Sequence, residues 1–163
     1  LQERREVHKG SREWFSLWRA RKREIFESAK IVAPQRSNTN TFGYNECEWY
    51  AMSDVFFITP LDTNFKLKYI LALLNSKLYY FWLYHKGKRK GENLELTQTP
   101  LSEIPIKDIP LKEQEVFVDL VDKILEAKAK DSTANTSKLE SQIDELVYAL
   151  YELDSNEIQI IES

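Results

Sequence analysis

The chain has 163 residues and a mass of 19.3 kDa; 42% of it is hydrophobic, 30% is charged, and the formal net charge is −3. That size holds one domain, or one domain with a helical appendage, and the apolar content excludes wholesale disorder. A single cysteine, Cys47, and two histidines, His8 and His85, exclude a disulfide framework and a zinc cluster, and a reducing, cytoplasmic setting is expected.

The small net charge conceals a segregation. Residues 1–36 hold ten Lys/Arg and five Asp/Glu, residues 37–110 eight of each, and residues 111–163 five against thirteen, so the blocks carry +5, 0 and −8. Seventeen of the twenty aromatic residues lie between Trp14 and Tyr84. This division predicts a first domain over 1–110 and a helical appendage over 111–163. The most apolar stretch, Tyr69–Tyr84, is too short to span a bilayer and carries Asn75, Ser76 and Lys77 at its middle, so no membrane segment is expected. The chain opens on Leu1 and is expected to be a piece of a longer one.

In chain order, Trp14, Phe15, Trp18, Ile25 and Phe26 recur at helical spacing and predict a helix over 11–28, with Ser11 as N-cap. Lys30–Ala33 reads as a short strand stopped by Pro34, and Gln35–Thr41 as a polar loop. Phe42–Tyr44, Trp49–Met52 and Val55–Thr59 read as short strands. Lys66–Tyr84 is apolar nearly all round and predicts one buried helix, which ends at the basic loop His85–Gly91. Asn93–Leu96 and Ile104–Ile106 are candidate strands, and Pro100, Pro105 and Pro110 keep the path between elements extended.

From Leu111 two apolar stripes predict an antiparallel helical hairpin. One comprises Val116, Phe117, Leu120, Val121 and Ile124, the other Leu139, Ile143, Leu146, Val147 and Leu150. Capping boxes are expected at Ser137–Glu140 and, ahead of a short third helix, at Asp154–Glu157. The predicted fold is therefore α+β: a small mixed β-sheet with packed helices, followed by a C-terminal antiparallel α-helical hairpin.

The sequence carries no catalytic signature. Gly87 and Gly91 have the wrong spacing for a phosphate loop, and the flipped-base motif of an amino-methyltransferase is absent. Glu126-Ala-Lys128 falls on an amphipathic helix and reads as a solvated face, and Cys47 as a structural or incidental thiol. An enzyme confined to this chain, and any metal site in it, are not expected.

Two features have the chemistry of nucleic-acid binding. Arg19, Arg21, Lys22, Lys86, Lys88, Arg89 and Lys90 can neutralise phosphates, giving salt-dependent affinity without sequence information. Arg36, Ser37, Asn38 and Asn40 lie in the polar loop, where Arg can fork onto a guanine edge and Asn onto an adenine edge. The competing reading is a turn whose Ser and Asn side chains bond their own backbone. The aromatic residues could stack on bases, but their positions on buried helix and strand faces favour a core.

The order of the pieces carries a resemblance. Trp14-Phe-Ser-Leu-Trp18, Phe26-Glu-Ser-Ala-Lys30-Ile-Val-Ala-Pro34-Gln-Arg36-Ser, Phe42-Gly-Tyr44, Tyr50 and Phe56-Phe-Ile58 come first. Tyr69-Ile-Leu-Ala-Leu-Leu-Asn75-Ser-Lys77-Leu and Leu101-Ser-Glu-Ile-Pro105-Ile follow. Together they resemble the TaqI-like C-terminal specificity domain, the target-recognition region of adenine-specific DNA methyltransferases and of fused type IIG/IIS restriction-modification enzymes. The closing Ile143-Asp-Glu-Leu-Val-Tyr148-Ala-Leu-Tyr151-Glu-Leu is similar to the helical segment that ends many such chains.

The resemblance implies a module that reads double-stranded DNA for an adenine methyltransferase upstream in the same chain, with or without an endonuclease. S-adenosylmethionine, and Mg2+ for an endonuclease, would be cofactors of those upstream domains and not of this fragment. The alternative is a protein–protein interaction module that dimerises through residues 111–163.

Overall fold

The computed structural model describes residues 22–52, 54–60 and 64–163. Of the helix expected over 11–28, residues 11–21, with Trp14, Phe15, Trp18, Arg19 and Arg21, lie outside the described residues, and within 22–28 only the single turn α1 (Glu24–Glu27) is helical.

Strand β1 (Lys30–Pro34) is the centre of the first sheet. It pairs antiparallel with β3 (Gly43–Asn45) on one side and β4 (Val55–Ile58) on the other. Its alternation buries Ile31 and Ala33 completely. Pro34, which has no N–H to donate, sits at the last position, where only β4 still runs alongside. The second sheet has the order β2 (Arg36–Ser37), β6 (Asn93–Glu95), β5 (Lys88–Lys90), again antiparallel throughout. The α+β class holds, with two three-stranded antiparallel sheets where one mixed sheet was expected. Trp49–Met52 and Ile104–Ile106 are not strands. Trp49 is instead held by its backbone N–H, which donates to the Phe26 carbonyl (3.1 Å), and Tyr50 by stacking on the Phe26 ring (4.8 Å).

The buried helix expected over Lys66–Tyr84 is two helices, α2 (Leu67–Asn75) and α3 (Lys77–Lys86). Ser76 between them is extended (φ −73°, ψ 159°); its Oγ donates to the Leu73 carbonyl (2.7 Å) and accepts from the Tyr79 N–H, capping α3. Three backbone groups at the break find distant partners. Asn40 Nδ2 donates to the carbonyls of Leu74 (2.8 Å) and Ser76 (2.9 Å), and Asp144 Oδ1 accepts from the Lys77 N–H (2.8 Å). Asn75 exchanges two hydrogen bonds of 3.0 Å with the backbone of Phe42, as a bridging strand residue would.

After α4 (Gln98–Ser102), α5 (Leu111–Lys130) and α6 (Ser137–Leu150) follow, and then α7 (Ser155–Glu162). Thr136, not Ser137, is the N-cap of α6, and its Oγ1 donates to Glu140 (2.6 Å). The capping box at Asp154 and Glu157 forms as expected.

Apart from Val116, which is exposed, the apolar stripes of α5 and α6 face the rest of the chain. Phe117 meets Tyr69 edge-to-face at 5.2 Å, and one hydrophobic cluster runs from Ile31 and Ala33 through Leu73 and Leu83 to Val121 and Val147. Gln114 locks this joint. It is wholly buried, its Oε1 accepts from the Lys66 N–H (2.8 Å), and its Nε2 donates to the carbonyls of Asn64 (2.8 Å) and Ile109 (2.9 Å). Gln114→Leu keeps the volume and strands all three partners, so urea unfolding should show a loss of about 2–4 kcal/mol. The ion pairs across the joint, Lys66–Glu115, Lys68–Asp122 and Lys77–Glu162, are partly exposed and add little.

Candidate nucleic-acid interface

The two segments expected as separate loops, 35–41 and 85–91, are knitted into the second sheet. Gly87 and Gly91 shape the second of them and do not leave it loose. Gly87 ends α3 so closely that a Cβ there would lie 2.4 Å from the Leu83 carbonyl oxygen. Gly91, at φ +63°, opens the two-residue Gly91-Glu92 turn between β5 and β6, the position where a type II′ hairpin wants glycine. On the other side of β6, Arg36 and Ser37 pair with Glu95 and Leu94, and the Leu96 N–H donates to the Gln35 carbonyl (2.9 Å).

Residues opposite one another on neighbouring strands share a face. Arg36, Glu95 and Lys88 therefore form one cross-strand row, with Lys90 and Asn93 beside it on the same face. Ser37, Leu94 and Arg89 project to the other face. There Leu94 is buried, and the Arg89 guanidinium lies 4.0 Å above the Tyr84 ring, a cation–π contact.

Glu95 is the one carboxylate of the polar row. Its Oε1 is 3.6 Å from Arg36 Nε and its Oε2 is 3.1 Å from Lys88 Nζ. The hydrogen bond from Lys88, with Arg36 and Lys90 near, holds its carboxyl below the usual carboxylate range. A carboxyl that is more acidic in the folded state stabilises the fold above its ordinary pKa, and that contribution disappears as pH falls through the lower folded value. The stability advantage of the wild type over Glu95→Gln should accordingly be constant near neutrality and shrink as a denaturation series is taken into the acid range.

Among the phosphate candidates, Lys22, Lys86, Lys88, Arg89 and Lys90 are exposed, while Arg19 and Arg21 lie outside the described residues. Lys88 alone of the cations at 86–90 has a carboxylate partner among the described residues. Of the base-readout candidates, Arg36 and Asn38 are exposed, and Ser37 Oγ shares a hydrogen bond with Thr41 Oγ1 (3.0 Å). Asn40 does not face solvent. It is buried, both its amide protons go to the α2–α3 break, and its Oδ1 accepts from Thr39 Oγ1 (3.0 Å). Its chemistry is that of the local-bonding alternative, directed at a helix break and not at its own turn. Glu95 and Tyr84 were missed, although Lys88-Arg-Lys90 and Asn93-Leu-Glu95 around Gly91-Glu92 carry a hairpin signal that sets Glu95 opposite Lys88.

The model of the TaqI-like C-terminal specificity domain matches residues 6–106. The chain belongs to this family. The match includes the whole second sheet and ends just before the point where the sequence turns acidic. No curated protein is a significant match. A TaqI-like specificity domain has a non-catalytic role, DNA target recognition in restriction-modification enzymes. Glu126 and Lys128 lie outside the matched residues, on the exposed face of α5. No helix of the described residues is long and apolar enough to cross a membrane.

Proposed function

We propose that this specificity domain meets duplex DNA with the polar face of its second sheet. Arg36 and the exposed Asn38 supply base-reading groups, and Lys86, Lys88 and Lys90 neutralise phosphates. The observation that carries the reading is where the acidic helices direct their charge. Four carboxylates of residues 111–163 pair with Lys66, Lys68, Lys77 and Lys107, and none pairs with the cations at 86–90 among the described residues. At the basic hairpin Lys88 is paired with Glu95 of the same sheet and the other cations are left for a polyanion, while residues 111–163, at −8, would be repelled by one. Residues 1–110 act as the recognition part and residues 111–163 as a helical brace that shares its core. The module positions target DNA for an adenine methyltransferase in the same chain, with or without an endonuclease, and S-adenosylmethionine and Mg2+ serve those catalytic parts in a cytoplasmic enzyme.

The alternative, dimerisation through 111–163, loses support because Phe117, Leu120, Val121, Ile143 and Val147 are already buried within the chain. Titration of a mixed-sequence duplex pool at several salt concentrations tests the reading: affinity should fall linearly on a log–log plot. Binding with no salt slope would overturn it. Sedimentation of the same chain should give a monomer, and a dimer that dissociates on deletion of 111–163 would restore the alternative.

A further inference from the structure

Resting on that reading, we infer that Glu95 is a positioning residue that aims Arg36 at a guanine edge, so that this row reads one G·C base pair. The side chain of Glu95 is only 11% exposed, whereas those of Arg36 and Lys88 above it are 46% and 71% exposed. A carboxylate set beneath two cations, on the floor of a face otherwise suited to a polyanion, opposes phosphate binding unless it organises something.

What it organises is shown by the geometry. Glu95 approaches Arg36 through Nε, from one side and at 3.6 Å. It therefore does not take the forked, two-bond grip that would occupy the guanidinium. The two terminal nitrogens keep their donor fork, the pattern that matches O6 and N7 of guanine in the major groove. Lys88, ion-paired with the other carboxylate oxygen at 3.1 Å, holds the carboxylate from the neighbouring strand. The backbone pairing Arg36–Glu95–Lys88 sets the three side chains in one row, and Arg36 projects from a paired strand and not from a free loop.

The test compares bound sequences selected from a random duplex pool by the wild-type chain and by Arg36→Lys, Glu95→Gln and Lys88→Ala, with thermal melts to confirm folding. The wild type should prefer a G·C pair at one position. Arg36→Lys keeps the charge and should lose about ten-fold or more of that preference while retaining overall affinity. Glu95→Gln removes a negative charge, so it should bind duplex more tightly overall and yet discriminate less at the same position, a combination that mere loss of structure would not produce. Lys88→Ala should weaken binding to all sequences and lower the salt slope, and, with the carboxylate no longer fixed, should also blunt the preference at that position. If the wild type binds duplex with a salt slope but Arg36→Lys or Glu95→Gln keeps the full preference, the inference fails and the DNA-binding reading stands. If the wild type binds no duplex, both fail.

Discussion

Lys86→Ala/Lys90→Ala should weaken duplex DNA binding by about ten- to thirty-fold near 0.15 M salt and lower the log–log salt slope by about 2, with no change in unfolding. Both side chains are exposed and neither has a carboxylate partner among the described residues, so their removal takes away cations without stranding an acid. Lys88 and Arg89 are poorer choices for this purpose. Loss of Lys88 leaves Glu95 with Arg36 alone, and loss of Arg89 uncovers the Tyr84 ring. Each phosphate neutralised releases condensed counterions, about 0.9 of a slope unit apiece on B-form DNA. A salt titration of the double variant beside the wild type reads the loss directly. An unchanged slope would mean that these two cations do not contact phosphate.

Lys30→Met should destabilise the fold by about 3–5 kcal/mol, a fall of roughly 10 °C in melting temperature for a chain of this size. Lys30 has no exposure, and its ammonium donates to three backbone carbonyls: Phe26 (2.8 Å), Ser28 (3.0 Å) and Cys47 (2.8 Å). Those contacts use all three ammonium protons, and they join the end of α1 and the Cys47 loop to the first residue of the central strand. Methionine fills similar space and offers no proton, so the Ser28 and Cys47 carbonyls lose this donor and the Phe26 carbonyl keeps only the Trp49 N–H. Guanidinium denaturation of the two proteins measures the difference; a loss below about 1 kcal/mol would show that water or backbone movement replaces the ammonium. A fully buried lysine was not foreseen, because a lone Lys at the start of KIVA reads as an exposed strand end.

Strong, local patterns were legible. The β1 strand, the stripes of α5 and α6, and the Asp154 capping box follow from alternation, helical spacing and cap chemistry within a few residues. The division of α2 from α3 was hidden because apolar residues flank it on every side. Its local trace was Asn75-Ser76, two residues that favour caps over helix interiors, and the break is completed by Asn40 and Asp144, both remote in sequence.

The candidate interface was half legible, for a related reason. Lys88-Arg-Lys90 has poor intrinsic strand preference and reads as a loop; pairing with β6 and the turn at Gly91 make it a strand. The basic and polar residues were identifiable by type, whereas their union in one sheet depends on the pairing of Arg36 with Glu95 across almost sixty residues of chain. Asn40 shows the converse: its side chain suited a base edge, but tertiary structure had already engaged it.

Amide hydrogen exchange of the 163-residue chain with and without duplex DNA at low salt tests most directly which face meets the nucleic acid. Residues 36–38 and 86–95 should exchange more slowly when DNA is bound, while the helices of 111–163 exchange as before. Protection confined to 111–163, with the second sheet unchanged, would contradict the account.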